Sequence, residues 1–249
     1  MDNGVGVKTD KEVYDLWHLQ RAKEESSPEI IQPWHRTVAR LLPDINRAKL
    51  LEIGCGRGDF ALWLARKYPR ATITGIDFSD TAITAALAKL PGSGLSVSFV
   101  VEDAENLRLP SESFDQVISC ECIEHVPRPE AMAREIARVL KPGGNFILTT
   151  ENYFNGMLLA WLVSWHRRHP FKSGSGTQPR ENFFLWWRVK RILEGGGLRV
   201  EHIESNHFQW LLFPGVNPRR LCTNDFEGGL WKRLFLPFGR HFTFQGSRV

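Results

Sequence analysis

Three glycines at alternate positions, Gly54, Gly56 and Gly58, follow the apolar run Leu50-Leu51-Glu52-Ile53 and precede Asp59-Phe60, where a helical pattern begins. Glycine lets backbone N–H groups approach a ligand with no Cβ in the way and tolerates φ > 0, and the helix start behind the turn carries unpaired donors. That combination suits a nucleotide-like ligand. The spacing narrows the chemistry, because a dinucleotide fingerprint needs its third glycine where Asp59 stands, and no Gly-Lys-Ser/Thr follows to make a Walker-type phosphate loop. Asp77, 23 positions beyond Gly54, directly follows a second strand-like run. A carboxylate there can accept hydrogen bonds from both hydroxyls of a ribose. Four cysteines, Cys55, Cys120, Cys122 and Cys222, make neither a disulfide framework nor a zinc knuckle, since Cys120-Glu121-Cys122 is too tightly spaced and Cys222 stands apart. No metal site is expected.

The elements that must position these residues read as alternating strands and helices. Residues 50–53, 72–76, 97–101, 114–119 and 145–150 have strand character, and 59–67, 79–90 and 129–140 have helical character. Two helices, 11–23 and 28–42, precede them and are expected to cover the ligand site. Lys141-Pro142-Gly143-Gly144 reads as a helix stop before the fifth strand. Beyond Thr150 the pattern changes to an apolar run of helical length (155–165), a basic and then Ser/Gly-rich segment (166–179), a helix (182–194), a strand (198–203) and a last edge strand (241–245). The expected fold is α/β, a doubly wound and mostly parallel seven-stranded sheet with N-terminal helices and a helical, aromatic cap insertion after the fifth strand. The expected division is a helical cover over residues 1–46 and one domain over 47–249. Within that domain, 47–150 form the ligand-binding half and 151–197 with 205–240 form substrate-side insertions.

Bulk composition admits a sizeable core: 42% of the 249 residues are hydrophobic and 24% charged. The charge is uneven, with 14 Lys+Arg against 7 Asp+Glu in residues 151–249, and six of the nine tryptophans fall there too. A basic, aromatic surface suits an anionic or amphipathic acceptor, a lipid headgroup layer or RNA, and the same aromatics also serve to close a core. The polar start, the lack of a run of roughly 18 apolar residues and the sparse cysteines point to a cytoplasmic protein with reduced thiols.

The ordered set LLEIGCGRGDF, TGIDFS, VEDAENLRLP, SFDQVISCECIEHV and RVLKPGGNFILTT, over about residues 49–150, resembles the class I S-adenosylmethionine-dependent methyltransferases, and most of all their small-molecule group with the ubiquinone-pathway enzymes. The resemblance implies a Rossmann-like methyltransferase fold, with Glu52 and the Gly54-Cys55-Gly56 backbone holding the methionine part of S-adenosylmethionine. It implies close approach of the helix at Gly58, ribose binding by Asp77 and adenine packing on Phe78. Asp103 would accept from the exocyclic amine, Ala104 would donate its N–H to the ring, and Cys120 would line the methionine side. An activated sulfonium methyl needs orientation and, for a hydroxyl acceptor, a base; His125, just after the fourth strand, is the candidate catalytic residue.

The acceptor is expected to be a small amphipathic or aromatic metabolite, O-methylated. Ser119-Cys120-Glu121-Cys122 matches neither the Asn/Asp-Pro-Pro-aromatic motif of nucleobase amino methylation nor the Pro-Cys nucleophile of cytosine methylation, so no nucleic-acid partner is expected. Residues 153–172 combine Trp161 and Trp165 with Arg167, Arg168 and Lys172, which suits an acceptor wall or a peripheral membrane contact, in a monomer or a homodimer. An RNA or protein methyltransferase and a non-catalytic cofactor-binding regulator remain the alternatives.

Overall fold

The computed structural model describes residues 9–21, 32–152, 182, 184–206 and 236–249. Helices α1 (Asp10–Arg21) and α2 (Pro33–Leu41) precede β1 (Lys49–Ile53), α3 (Asp59–Lys67), β2 (Thr72–Asp77), α4 (Asp80–Leu87) and β3 (Val97–Val101). Then come β4 (Phe114–Cys120), a short helical turn Ile123–His125, α5 (Pro129–Val139), β5 (Leu140–Glu151), α6 (Trp186–Gly195), β6 (Leu198–Asn206) and β7 (His241–Arg248). The seven strands form one sheet in the order β3-β2-β1-β4-β5-β7-β6. The β1–β5 strands pair in parallel, and β7 runs antiparallel to both β5 and β6.

Successive residues of a strand face opposite sides, so apolar residues at consecutive positions build two core layers. Leu51, Ile53, Val117, Phe146 and Leu148 pack beneath α5 and α6, against Met132, Ile136, Val189 and Leu193. Leu50, Ile118 and Ile147 point the other way, toward Val38 of α2, Phe60 and Leu64 of α3, and Ile83 and Ala86 of α4. Truncating one of these fully buried leucines, such as Leu50, to alanine costs about 2–5 kcal/mol.

Local chemistry fixes the element ends. Ser79 caps α4, its hydroxyl accepting the Ala82 N–H at 3.1 Å. Helix α5 starts on Pro129 at its first turn and carries Arg138 in its last. The Lys141-Pro142-Gly143-Gly144 run bulges within β5: Leu140 pairs with Phe114 and the next pair is Asn145 with Gln116. Helix α6 begins at Trp186, four residues later than the pattern indicates.

One expectation is overturned. The strand at 241–245 is not an edge strand, because β7 lies inside the sheet between β5 and β6, leaving β6 at the edge. Phe242 and Phe244 are fully buried on one side and Thr243 on the other, as an interior strand requires. The apolar run 155–165, the Ser/Gly-rich segment, the membrane-contact expectation for 153–172 and most of 205–240 lie outside the described residues. Among the described residues no helix is long and apolar enough to cross a membrane.

Candidate functional site

A cavity of about 250 Å³ opens at the carboxyl ends of β1, β2, β3 and β4, under α1. This is where an open α/β sheet binds ligands, because the strand order reverses between β1 and β4. Its floor is the glycine turn. The Gly54 and Cys55 N–H groups both donate to the Ile76 carbonyl, each at 2.9 Å, which ties the turn to the end of β2. The Gly56 N–H donates to Asp77 Oδ2 at 2.8 Å, and the Ser79 N–H donates to Asp77 Oδ1 at 2.9 Å. Asp77 thus joins the turn after β1 to the start of α4 and keeps acceptor capacity on both oxygens. Lys89, just past α4, grips the turn from behind, its Nζ 2.8 Å from the Arg57 carbonyl and 2.5 Å from Asp59 Oδ1.

Two glycines make close approaches. A Cβ on Gly54 would stand 2.8 Å from Cβ and Sγ of Cys122, so the turn and the loop after β4 touch along the cavity wall. A Cβ on Gly58 would stand 2.5 Å from the Phe99 ring, which fills the space between β2, β3 and α4.

The β2 and β3 ends supply the next wall. Phe78 presents an aromatic face that is 39% exposed, with Lys11 Nζ 6.0 Å from its ring centroid. Asp103 turns the chain sharply, its Oδ1 accepting the Glu105 N–H at 2.9 Å while its carboxylate stays exposed. Glu102 and Glu105 are held by Arg108 and Arg128, at 3.2 Å and 2.9 Å. Six lining residues carry carboxyl groups (Asp10, Asp77, Glu102, Asp103, Glu105 and Glu121), and none of the described lining residues is Lys or Arg. Such a lining favours a cationic ligand.

Helix α1 closes the cavity from above with Tyr14, Trp17 and His18. It is docked by Asp15, whose carboxylate accepts the Ser79 hydroxyl and, at 3.1 Å, the Thr81 N–H, and by a 2.8 Å ion pair between Lys11 and Asp80. These bonds hold the Asp15 carboxyl below its ordinary value in spite of partial burial.

The far end of the cavity belongs to the loop after β4, where Glu121, Cys122, His125 and Val126 face inward. Asn182 braces the loop, its N–H donating to the Glu124 carbonyl at 2.6 Å and its Nδ2 to the Val126 carbonyl at 2.7 Å. His125 Nε2 lies 3.8 Å from Glu124 Oε1, and its ring meets that of Tyr14 edge-on at 6.5 Å. Burial raises Glu121 to about 7, and burial with the charge of Glu121 raises Glu124 to about 8. The Cys55, Cys120 and Cys122 thiols are pushed up by burial and stay protonated at neutral pH, which makes them poor nucleophiles.

Of the residues singled out from sequence, Gly54, Gly56, Asp77, Phe78, Asp103, Ala104 and His125 line the cavity. Glu52, Cys55, Gly58 and Cys120 do not; all four are buried behind it. Glu52 is 2% exposed, and burial together with the Asp77 and Asp59 charges raises its carboxyl well above the ordinary range. At the end of β4 the cavity is lined by Cys122 rather than Cys120, whose side chain turns into the α2–α3–α4 core. Sequence reasoning expects a covering helix here but names none of its lining residues, although Asp10, Tyr14, Trp17 and His18 recur at helical spacing, and it misses Glu121, which it reads only as a spacer between cysteines.

Residues 51–148 match a family model described as a methyltransferase domain. The fatty-acid O-methyltransferase of Mycolicibacterium smegmatis is 39% identical over 119 residues, 48% of this chain and 42% of that protein. A ubiquinone/menaquinone biosynthesis C-methyltransferase of Syntrophotalea carbinolica is 32% identical over 136 residues, 55% of this chain and 57% of that protein. The chain therefore spans about half the length of these curated relatives. Among solved structures, an S-adenosylmethionine-dependent methyltransferase of Thermotoga maritima superposes with a TM-score of 0.69 over 96% of this chain and 99% of its own, at 20% identity. A matched methyltransferase domain, these relatives, and a seven-stranded sheet whose glycine turn and Asp77 meet in one acidic cavity agree: residues 51–148 form a methyltransferase domain, and the chain has the fold of the class I S-adenosylmethionine-dependent methyltransferases.

Proposed function

We propose that the chain transfers the methyl group of S-adenosylmethionine to a hydroxyl of a small amphipathic or aromatic metabolite. The observation that carries this reading is the acidic cavity, in which the Asp77-pinned glycine turn and His125 face the same space. The residues fit the cofactor. Six carboxyl-bearing side chains suit a sulfonium and an ammonium group, Asp77 has lone pairs for a ribose diol, and the exposed Phe78 ring offers a face to a purine. On the side of Gly56 where a Cβ would stand, the nearest atom is His18 Cε1 at 3.8 Å, so the backbone there is open to a ligand.

When bound, S-adenosylmethionine supplies a methyl already activated for transfer, so the protein's task is orientation, exclusion of water and proton removal. Asp77 binds the ribose, Phe78 packs on the adenine, and Asp103 with the Ala104 N–H reads the edge of the ring. The methionine part lies against Gly54 and Gly56, where the turn carries no Cβ, with Cys55 buried behind them. Glu52, Gly58 and Cys120, which stand behind the cavity wall, act by holding the turn and the β4 end in shape. Tyr14, Trp17 and His18 exclude water from above. His125 hydrogen-bonds the reacting group of the acceptor.

The choice of a small amphipathic acceptor draws on the relatives, one named for fatty acids and one for ubiquinone and menaquinone. They differ in the accepting atom, oxygen in one and carbon in the other. Calorimetric titration with S-adenosylmethionine tests the cofactor assignment: Asp77→Ala is expected to weaken binding about 10- to 100-fold and Gly56→Arg to abolish it, and wild-type affinity in both would refute it. Methyl-label transfer to fractionated cell extract tests the acceptor. Label is expected in the organic-soluble, low-mass fraction, and label confined to RNase- or protease-sensitive material would replace this reading with a macromolecular one.

A further inference from the structure

The inner end of the cavity contains a buried carboxylate–imidazole pair drawn from two distant parts of the chain. Glu121, directly after β4, has φ 50, in the left-handed region that a residue with a side chain seldom adopts, and its N–H is pinned to the Thr149 carbonyl at 3.1 Å and the Thr149 hydroxyl at 3.2 Å. The turn brings its side chain to the cavity wall. One carboxylate oxygen, Oε2, lies 3.1 Å from Nδ1 of His241, the first residue of β7. The other, Oε1, is buried and has no hydrogen-bond partner among the described residues. A buried carboxylate oxygen without a donor is costly and rare in native proteins, and a ligand hydroxyl entering the cavity supplies the missing donor.

We propose that Glu121 takes the proton that leaves the acceptor hydroxyl, and that His241 is the positioning residue that holds its carboxylate for this task. The inference rests on the methyl-transfer reading above and names the group that reading leaves unassigned. The acceptor O–H bond breaks, its proton passes to Glu121 Oε1, and the hydroxyl oxygen uses the electron pair it keeps to bond the methyl carbon. The pair of the carbon–sulfur bond that breaks stays on sulfur, so the positive charge lost there equals the one Glu121 gains. His125 then serves the same hydroxyl as a hydrogen-bond partner and needs no net change of protonation.

The surroundings suit this division of labour. His241 is buried against Trp34, with ring centroids 5.0 Å apart, and burial lowers it to about 4, so its ring is neutral at pH 7. Opposite an ionised carboxylate only a protonated Nδ1 completes the contact, and the ring therefore donates to Oε2 and fixes the plane of the carboxylate. Among the described residues, the charged and titratable groups acting on the pair are Glu124 from the turn after β4, Glu151 from β5 and Arg240 before β7, and His125 acts on Glu124. Burial brings Glu121 to about 7, against the lowering pull of the Thr149 hydroxyl and Arg240, so it accepts and returns a proton within the neutral range. Glu124, raised to about 8, is mostly protonated there and does not compete as a base.

The test compares wild type with Glu121→Gln, His241→Asn and His241→Phe, using whichever member of a panel of para-alkylphenols and hydroxybenzoates wild type methylates fastest. Glu121→Gln keeps shape and loses basicity. Its kcat is expected to fall about 100- to 10,000-fold, with the Kd for S-adenosylhomocysteine, measured by calorimetry, within about threefold of wild type. The acidic limb of the wild-type kcat profile, expected near pH 7, should move up in His241→Phe and be restored by His241→Asn, whose amide replaces the Nδ1–H donor. Retention of wild-type kcat by Glu121→Gln in an enzyme that turns over overturns the proposal while leaving the methyl-transfer reading intact. A readout independent of turnover is the protonated-carboxyl infrared band followed against pH. A band that titrates near neutrality and vanishes in Glu121→Gln supports the assignment, and a spectrum unchanged by that substitution overturns it, whatever acceptor the enzyme uses.

Discussion

Gly58→Ala is expected to cost about 2–5 kcal/mol of folding stability, combining about 1–2 kcal/mol for an L-residue held at positive φ with about 1–3 kcal/mol for overpacking. The backbone part follows from φ 75 at this position, and the packing part from the Cβ position, which is 2.5 Å from Phe99 Cζ and 3.0 Å from Ala86 Cβ. The Phe99 ring cannot retreat toward β2, because a Cβ on Gly75 would already stand 2.7 Å from its Cδ1; the ring is wedged between two glycines. Gly56→Ala makes the contrast. It also sits at positive φ, 53, but its nearest neighbour would be 3.8 Å away, so only the backbone cost of about 1–2 kcal/mol applies. Its methyl group projects into the cavity, however, and is expected to raise the Kd for S-adenosylmethionine at least tenfold, whereas folded Gly58→Ala keeps an affinity close to wild type. Urea unfolding gives the stabilities and calorimetry the affinities. Adding Phe99→Leu to Gly58→Ala should recover part of the loss, seen as a favourable coupling in a double-mutant cycle. Equal destabilisation by the two glycine substitutions, or no coupling between positions 58 and 99, would show that the wedge does not govern this turn.

Asp77→Ala removes the acceptor for the Gly56 and Ser79 N–H groups as well as the proposed ribose ligand, so cofactor affinity should fall by about 10- to 100-fold, as for hydrogen bonds to a charged group; a change under threefold in calorimetry contradicts the assigned role. Stability should fall as pH rises from about 6.5 to 8, by up to about 1.4 kcal/mol per pH unit for each proton that Glu121 and Glu124 keep folded and release unfolded. Half-buried His35 and buried His241, lowered by desolvation to about 3 and 4, push the other way, but only below about 6.5, where unfolded imidazoles charge. A thermal melting point that rises across 6.5 to 8, or a fall that Glu124→Gln does not flatten, is inconsistent with the buried pair. Asp15→Ala removes the bonds that dock α1 on the start of α4 and should speed S-adenosylhomocysteine release severalfold in stopped-flow fluorescence, with Trp17 as reporter; an unchanged off-rate means that α1 does not cover the route out.

The parallel half of the fold was legible because its signals are local. Apolar runs such as Leu50–Ile53, glycine punctuation and helix caps each act within a few residues, and the cavity residues Gly54, Gly56, Asp77, Phe78 and Asp103 lie at strand ends that such signals define. Glu121 and His241 were not legible as a pair, since 120 positions separate them and only the β5–β7 pairing brings them together. The position of β7 was misread for the same reason. Alternating Phe242 and Phe244 announce a strand, but nothing in the strand's own sequence names its neighbours. The helix over 11–23 is legible as a cover, but Tyr14, Trp17 and His18 are not legible as its inner side, because the meeting of Asp15 with the α4 N-terminus, which turns them to the cavity, is a long-range contact.

The sheet order also sets a timetable for the growing chain. Strand β6 is synthesised some 35 residues before β7, yet among the described residues it joins the rest of the sheet through β7. Until residues 241–248 have left the ribosome, β5 has an open edge on the side away from β4 and β6 lacks its partner β7. An incomplete chain thus carries two sets of unpaired backbone groups at once, a species prone to joining other chains. The strand that delivers His241 to the cavity is the same one that ends this vulnerable interval, so the inner end of the site is assembled in the event that completes the sheet.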